Sequence, residues 1–362
     1  HSSPRRQRQM CIRDSLHTFS QFSILQSTVR INELTQLANE LEMPAVCITD
    51  YNNLMGSFHF LKSLENINKK NKSENKKTLK PIIGITLNVC EDHLDRSRRD
   101  DGYQIVFIAK NKKGYKNLSK LSSLAYTKGF YYVPRVDKNL VLNFKEDLIV
   151  LTGNTYGEVS SKLLNIGEKQ AEESLLWWNK HFKDDLFIEI MRHNLEDENR
   201  INPVLIKFSA KHKIKLVATN SVFYLTKEQA NSHDILLCVK DGEKQSTPIG
   251  RGRGFRYGLP NHEYYFKTKE QMIELFSDIP DAIANISEVI AKVETFDLKR
   301  EVLLPNFEIP EQFQTIDDDN KIGENAYLRH LTYRGAEIRY KNITNELKER
   351  IDFELNVIKK TG

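Results

Sequence analysis

The sequence predicts an α/β fold organised as a parallel, barrel-like sheet, and three observations predict it. Short apolar runs alternate with amphipathic stretches over most of the chain, the order from which parallel sheets are built. Three of those runs end in polar turns: Ala45–Thr49 delivers Asp50 to Tyr51-Asn52-Asn53, Leu186–Ile190 ends at Arg192-His193-Asn194, and Lys215–Thr219 ends at Asn220-Ser221-Val222-Phe223. In α/β barrels the carboxyl ends of the strands are where chemistry sits. Finally, 362 residues with 39% hydrophobic content suffice for one large barrel plus an appendage, or for two domains.

Composition narrows the class. The net charge of +5 and a pI of about 8.8 are compatible with a nucleic-acid partner, but the charge is spread thinly and does not require one. No apolar run approaches the roughly 18 residues a membrane span needs, so the expectation is a cytoplasmic protein with no membrane contact. Cys11, Cys47, Cys90 and Cys238 have no CxxC spacing, and Cys47 and Cys238 lie in apolar runs as reduced, buried thiols.

In chain order, residues 1–14 lack an apolar signal core and any helix or strand period. They read as a non-native or disordered leader, with a basic nucleic-acid arm as the other reading. Apolar residues at Val29, Ile31, Leu34, Leu37, Ala38 and Leu41 give a one-faced helix over 28–43. A second helix runs from Leu54 and fades at Leu64, and the Lys/Asn-rich stretch 66–80 reads as a solvated loop. Strands are expected at 81–89, 103–109 and 148–152, with a helix over 112–126. Helices over 159–164 and 167–181 follow, and Trp177 and Trp178 in the second are expected to pack. A helix over 196–211, the strand 215–219 and a helix over 227–239 complete the alternation.

The segment 250–257 is Gly/Arg-rich. Arg251, Arg253, Phe255 and Arg256 could follow a phosphate backbone and stack a base, or form a basic surface loop. Helices over 268–276 and 280–293 read as structural. Beyond residue 298 the chain is Pro-punctuated, Asp317-Asp318-Asp319 reads as a solvated acidic loop, and two helices cover 324–340 and 344–360.

The stretch Leu16-His17-Thr18-Phe19-Ser20-Gln21-Phe22-Ser23, with Thr49-Asp50-Tyr51-Asn52-Asn53, resembles the opening of a PHP (polymerase and histidinol phosphatase) domain. More narrowly it resembles the N-terminal part of the bacterial DNA polymerase III alpha subunits, the C-family replicative polymerases. That family opens with Leu-His-x-His-[Ser/Thr]-x-[Phe/Tyr]-Ser and follows with Thr-Asp-His-Gly-Asn. The blocks Asn111–Leu118, His233–Cys238 and Glu324–Gly335 extend the resemblance to nearly the whole chain. It implies an irregular (β/α)7 TIM-like PHP barrel over 15–295. It also implies a linker and the first helices of a polymerase palm domain over 296–362.

A working PHP site holds two or three metal ions on His, Asp and Glu at strand ends, and the resemblance places those positions here. His17 and His193 are kept, with Asp50 beside them. The other imidazole or carboxylate positions fall on Phe19, Gln26, Tyr51, Thr86, Ser221 and Phe223, and a further position falls on Asn154. Aromatic rings cannot replace imidazoles as ligands, and two neutral His without a bridging carboxylate hold a divalent ion weakly. The expectation is a barrel that binds no metal, with the rings packed into the former cleft as an apolar plug.

The resemblance implies template-directed DNA synthesis in the full-length family, with Mg²⁺ held on palm aspartates of a Pro-Asp-Phe-Asp-type motif that these residues do not contain. By itself this chain is then expected to be inactive as a polymerase and to bind no cofactor. Partners implied for the full-length protein are primer-template DNA, deoxynucleotides, a proofreading exonuclease subunit, the sliding clamp and the clamp loader. The alternatives are an active PHP-type phosphoesterase or 3′–5′ exonuclease, and an interaction module unrelated to replication.

Overall fold

The computed structural model describes residues 16–250, 252–300, 307–314 and 323–361. The leader expected at 1–14, Arg251 and the acidic loop 317–319 lie outside the described residues. The chain divides after Leu298 into two compact units.

The first unit holds a seven-stranded sheet: β1 (Ala45–Ile48), β2 (Lys80–Cys90), β3 (Tyr103–Ala109), β4 (Val136–Asp137), β5 (Leu148–Leu151), β6 (Leu186–Ile190) and β7 (Leu216–Ala218). Their order is β1-β2-β3-β5-β6-β7, with β4 paired to the far end of β2. Strands β1 and β2, β5 and β6, and β6 and β7 pair in parallel. The expectation of a wholly parallel sheet is corrected at β3, which runs antiparallel to both β2 and β5. No helix lies in the 91–102 connection, so the chain folds straight back. At its end Gly102 has φ +72, and a Cβ there would meet the Val89 carbonyl carbon at 2.8 Å.

The segment ahead of β1 closes the sheet into a barrel. The Thr49 N–H donates to the Thr18 carbonyl at 2.8 Å, the Phe19 N–H to Val222 at 3.0 Å, and the Val222 N–H to His17 at 3.0 Å. Leu16–Phe19 therefore fills the gap between β1 and the chain leaving β7. Strand alternation sorts the core into two faces. Ala45, Cys47, Ile82, Val106, Ile108, Ile149, Leu151, Phe187 and Val217 share one cluster that fills the barrel. Ile85, Leu87, Ile105, Phe107, Val150, Ile188 and Leu216 belong to another, packed against the surrounding helices.

Those helices are α1 (Ile31–Glu40), α2 (Ser57–Ser73), α3 (Lys112–Thr127), α4 (Lys138–Asn143), α5 (Glu158–Asn165), α6 (Glu168–Phe182), α7 (Glu196–His212), α8 (Ala230–Asp241), α9 (Lys269–Leu275), α10 (Pro280–Ala284) and α11 (Ile286–Lys292). Helix α3 starts where Asn111 Oδ1 accepts from the Lys113 and Gly114 amides, an N-cap that satisfies two orphan donors. Two expectations change. The stretch 66–80 is not all loop, because α2 continues to Ser73. Its polar last turns are held from outside: Asn71 Nδ2 donates to Asn39 Oδ1 and the Lys77 carbonyl, and Asn68 bonds both backbone groups of Leu79. The helix expected over 280–293 breaks at Asn285, whose side chain donates to the Leu216 carbonyl at 2.8 Å.

Helices α10 and α11 cover the end of the barrel where the strands begin. Ile286, Val289 and Val293 join the interior cluster, and Lys80 Nζ donates to the Ile290 carbonyl. The opposite end, where strands finish, is the mouth. The second unit contributes α12 (Glu324–Arg339) and α13 (Asn345–Thr361), with Arg329 and Tyr333 of α12 both bonded to Asp352 of α13.

Candidate functional site at the barrel mouth

The fold brings most of the marked positions together at the mouth. His17 is fully buried, and its Nδ1 lies 3.0 Å from Glu189 Oε1, which also accepts from Thr219 Oγ1 at 2.6 Å. His17 Nε2 and Glu189 Oε2 have no hydrogen-bond partner among the described residues. Such a carboxylate behind an imidazole orients the ring and leaves its other nitrogen free.

His193 is arranged differently. Its backbone N–H and Nδ1 both meet the Glu198 carboxylate, at 2.5 and 2.6 Å. On its other edge Nε2 accepts the Ser221 N–H at 3.1 Å. An Nε2 that accepts fixes the proton on Nδ1, so both ring nitrogens are spent and no lone pair remains for an ion. Tyr264 stacks on this ring at 4.3 Å and 13°.

Between the two histidines lies an apolar stack. The Phe19 and Phe223 rings are parallel, 5° apart in plane and 4.7 Å between centroids, and His17 tilts against Phe19 at 5.1 Å. Phe223 continues to Tyr264 and to His233 of α8. Offset aromatic contacts at such spacings contribute about 0.5–1.5 kcal/mol per pair beyond their buried area.

Asp50 is buried and serves the loop that carries Phe19. It accepts from the Ser20 N–H at 2.6 Å, Ser20 Oγ at 2.7 Å and Ser23 Oγ at 2.7 Å. Burial pushes its carboxyl above the usual range, although the bonds from Ser20 and Ser23 oppose the shift. Tyr51 donates its hydroxyl to Asn88 Oδ1 at 2.8 Å. Thr86 does not stand at a strand end: β2 runs on to Cys90, and Thr86 Oγ1 donates to the Thr49 carbonyl. Ser221 Oγ contacts Met191 Sδ. Gln26 contributes its carbonyl, which accepts from His233 Nε2 at 2.8 Å. Asn154 Oδ1 accepts the Tyr156 N–H and shapes the turn after β5.

Among the described residues, the imidazole nitrogen and carboxylate oxygen without a hydrogen-bond partner at this mouth are His17 Nε2 and Glu189 Oε2. Among the described residues no three His, Cys, Asp or Glu ligand atoms converge there. These residues do not fit a multinuclear centre, which needs several nitrogen and oxygen donors per ion.

The Gly/Arg segment is split. Arg256 is buried, grips both oxygens of Asp234 at 2.7 and 2.8 Å, and also donates to the Thr247 carbonyl. Its guanidinium is therefore internal rather than offered to a phosphate. Arg253 and Phe255 are exposed, the latter against Gly250. Sequence reasoning missed Glu189, Glu198 and Tyr264. Glu189 carries a signal: a lone carboxylate two residues from Phe187 in an apolar run shares that residue's inward face. Tyr264 has none.

Comparison with known proteins agrees along the chain. Residues 15–193 match the family model described as PHP domain. The chain is 33% identical over 348 residues to the DNA polymerase III subunit alpha of Borreliella burgdorferi, covering 95% of this chain and 28% of that one. It is 33% identical over 371 residues to the Campylobacter jejuni protein of the same name, covering 95% and 29%. The Treponema pallidum protein of that name is 34% identical over 350 residues, covering 95% and 28%. The chain thus spans less than a third of the length of these relatives.

Proposed function

We propose, for a chain that belongs to the DNA polymerase III subunit alpha family and carries its PHP domain, that the barrel is a metal-free structural support. The observation that carries this reading is His193, whose two nitrogens are both committed to protein groups while the Phe19–Phe223 stack stands beside it. An ion there would have to break the Ser221 bond and displace packed rings, while His17 Nε2 and Glu189 Oε2 are atoms without a hydrogen-bond partner among the described residues.

In this reading residues 15–295 are the PHP domain, residues 296–362 lead into a palm domain beginning with α12 and α13, and residues 1–14 are a leader. The full-length protein carries out template-directed synthesis with Mg²⁺ on palm aspartates outside these residues. Its partners are primer-template DNA, deoxynucleotides, an exonuclease subunit, the clamp and the clamp loader, in the cytoplasm. No described helix is long and apolar enough to cross a membrane.

The competing reading, a PHP-type phosphoesterase or 3′–5′ exonuclease, is favoured by the free Nε2 of His17 backed by Glu189. A 3′-labelled primer assay separates the two, run with Zn²⁺, Mn²⁺ and Mg²⁺ on the wild-type chain and on His17→Gln. The expected result is no excision, and the same metal content in both proteins. Excision by the wild type that His17→Gln abolishes, together with loss of a bound metal equivalent, overturns the metal-free reading.

A further inference from the structure

Strand β2 overruns the barrel, and what it carries past the edge forms a second cluster. Its end pairs in parallel with β4, Val89 beside Val136 and Cys90 beside Asp137. That register sets Asp137 next to Asp92 and His93, the second and third residues beyond the strand. His93 Nδ1 lies 2.5 Å from Asp137 Oδ2, and one ligand atom from each of Asp92, His93 and Asp137 falls within 4.8 Å of the others. Asp137 is buried, His93 is half-buried and Asp92 is exposed, so the cluster opens to solvent on one side.

We propose that Asp92, His93 and Asp137 form a mononuclear site for a divalent transition cation of the zinc class. One imidazole with two carboxylates is a donor set that suits Zn²⁺, three protein ligands leaving the fourth position to water. Mg²⁺ and Ca²⁺ favour all-oxygen sets and are expected to bind poorly. His93 Nδ1 and Asp137 Oδ2 are hydrogen-bonded to each other, and unlike His193, whose two nitrogens face different partners, His93 meets here a group that would itself be a ligand, so the ion would take the place of the shared proton. Asp137 Oδ1 accepts the Leu140 N–H, and Asp92 Oδ1 accepts the Leu94 N–H.

The site stands on a fixed loop. Arg135 is buried, and its guanidinium donates to the carbonyls of Gly129, Asp100, His93 and Asp95. The residues of the 91–102 connection are thereby pinned to the chain entering β4. Holding donors in place before the ion arrives lowers the ordering cost of binding. The ion would add a second tie between the same loop and β4.

The test is isothermal titration of the chain with ZnCl₂, MnCl₂ and MgCl₂, for wild type, Asp92→Asn, His93→Gln and His17→Gln. Circular dichroism confirms the fold of each, and Asp92→Asn, at an exposed position, keeps the test valid if His93→Gln does not fold. Wild type and His17→Gln are expected to bind one zinc equivalent, and Asp92→Asn and His93→Gln to bind it about tenfold more weakly or not at all. Three results overturn the proposal: no stoichiometric zinc in the wild type, unchanged binding in Asp92→Asn and His93→Gln, or loss in His17→Gln with retention in Asp92→Asn.

Discussion

Glu158 is a carboxylate that the fold almost fully encloses, and it is saturated. Oε1 accepts from Lys138 and Lys162, each at 2.8 Å, and Oε2 accepts from Trp178 Nε1 at 2.8 Å. Burial alone would raise its pKa, but the two lysines outweigh burial and hold it below the usual range. Its stabilising contribution is therefore full above the ordinary Glu range and is lost as pH falls through the lowered value. Removing one member of a fully buried pair costs about 3–5 kcal/mol, and the part-exposed lysines reduce this to about 2 kcal/mol for Glu158→Gln. Urea unfolding at pH 7 measures it, and a change under about 0.5 kcal/mol would contradict the account. His233 behaves in the opposite chemical sense. Burial lowers its pKa, although the bond to the Gln26 carbonyl opposes the shift. The unfolded chain takes up a proton near pH 6.5 while the folded one resists, so stability falls as pH drops below about 6.5. Thermal midpoints between pH 7.5 and 5.5 are expected to decline, and to decline less in His233→Gln. The residue scale is also where the sequence is least legible. His17, Phe19 and His193 can be marked from a local motif, but their partners Glu189, Tyr264 and Ser221 lie up to 172 positions away. Nothing local states which nitrogen of an imidazole will be occupied.

Among the elements, legibility follows how much of each is decided locally. Strands β1, β2, β3, β5, β6 and β7 are readable as apolar runs, because a strand buried on both faces is built mostly of apolar residues. Strand β4 has only two residues, and no period can be seen in that length. The last turns of α2 are hidden for a different reason. Their sequence is polar throughout, and they hold because Asn68 and Asn71 reach backbone and side chains elsewhere. Asn71→Ala removes two of those bonds and leaves the Lys77 carbonyl with one partner fewer, a loss of about 1–3 kcal/mol. Hydrogen exchange is the direct check, with faster exchange expected at 68–74 and little change in the sheet. The antiparallel run of β3 was equally invisible in the alternation of strand and helix, since it depends on a connection without a helix.

For the molecule as a whole, the barrel is closed by its first described residues rather than by a final strand. Leu16–Phe19 bonds Thr49 on one side and Val222 on the other. Opening it exposes two sheet edges at once and uncovers the interior cluster to which Leu16 belongs. The amides of Phe19, Thr49 and Val222 are therefore expected to exchange only through global unfolding, with protection equal to that of Ile108 and Ile149 in the barrel interior. Exchange at those amides through a lower-energy opening would show a seam. The barrel itself was foreseeable from composition and order. Its closure was not, because four residues with a functional-looking motif double as the last structural connection.

That arrangement carries a consequence for synthesis on the ribosome. The beginning of the chain must wait, with one flank bare, until residues roughly two hundred positions later have emerged and can bond to it. A nascent chain stalled anywhere before Val222 would present an incomplete ring with sticky borders, the state in which chaperones would be needed most.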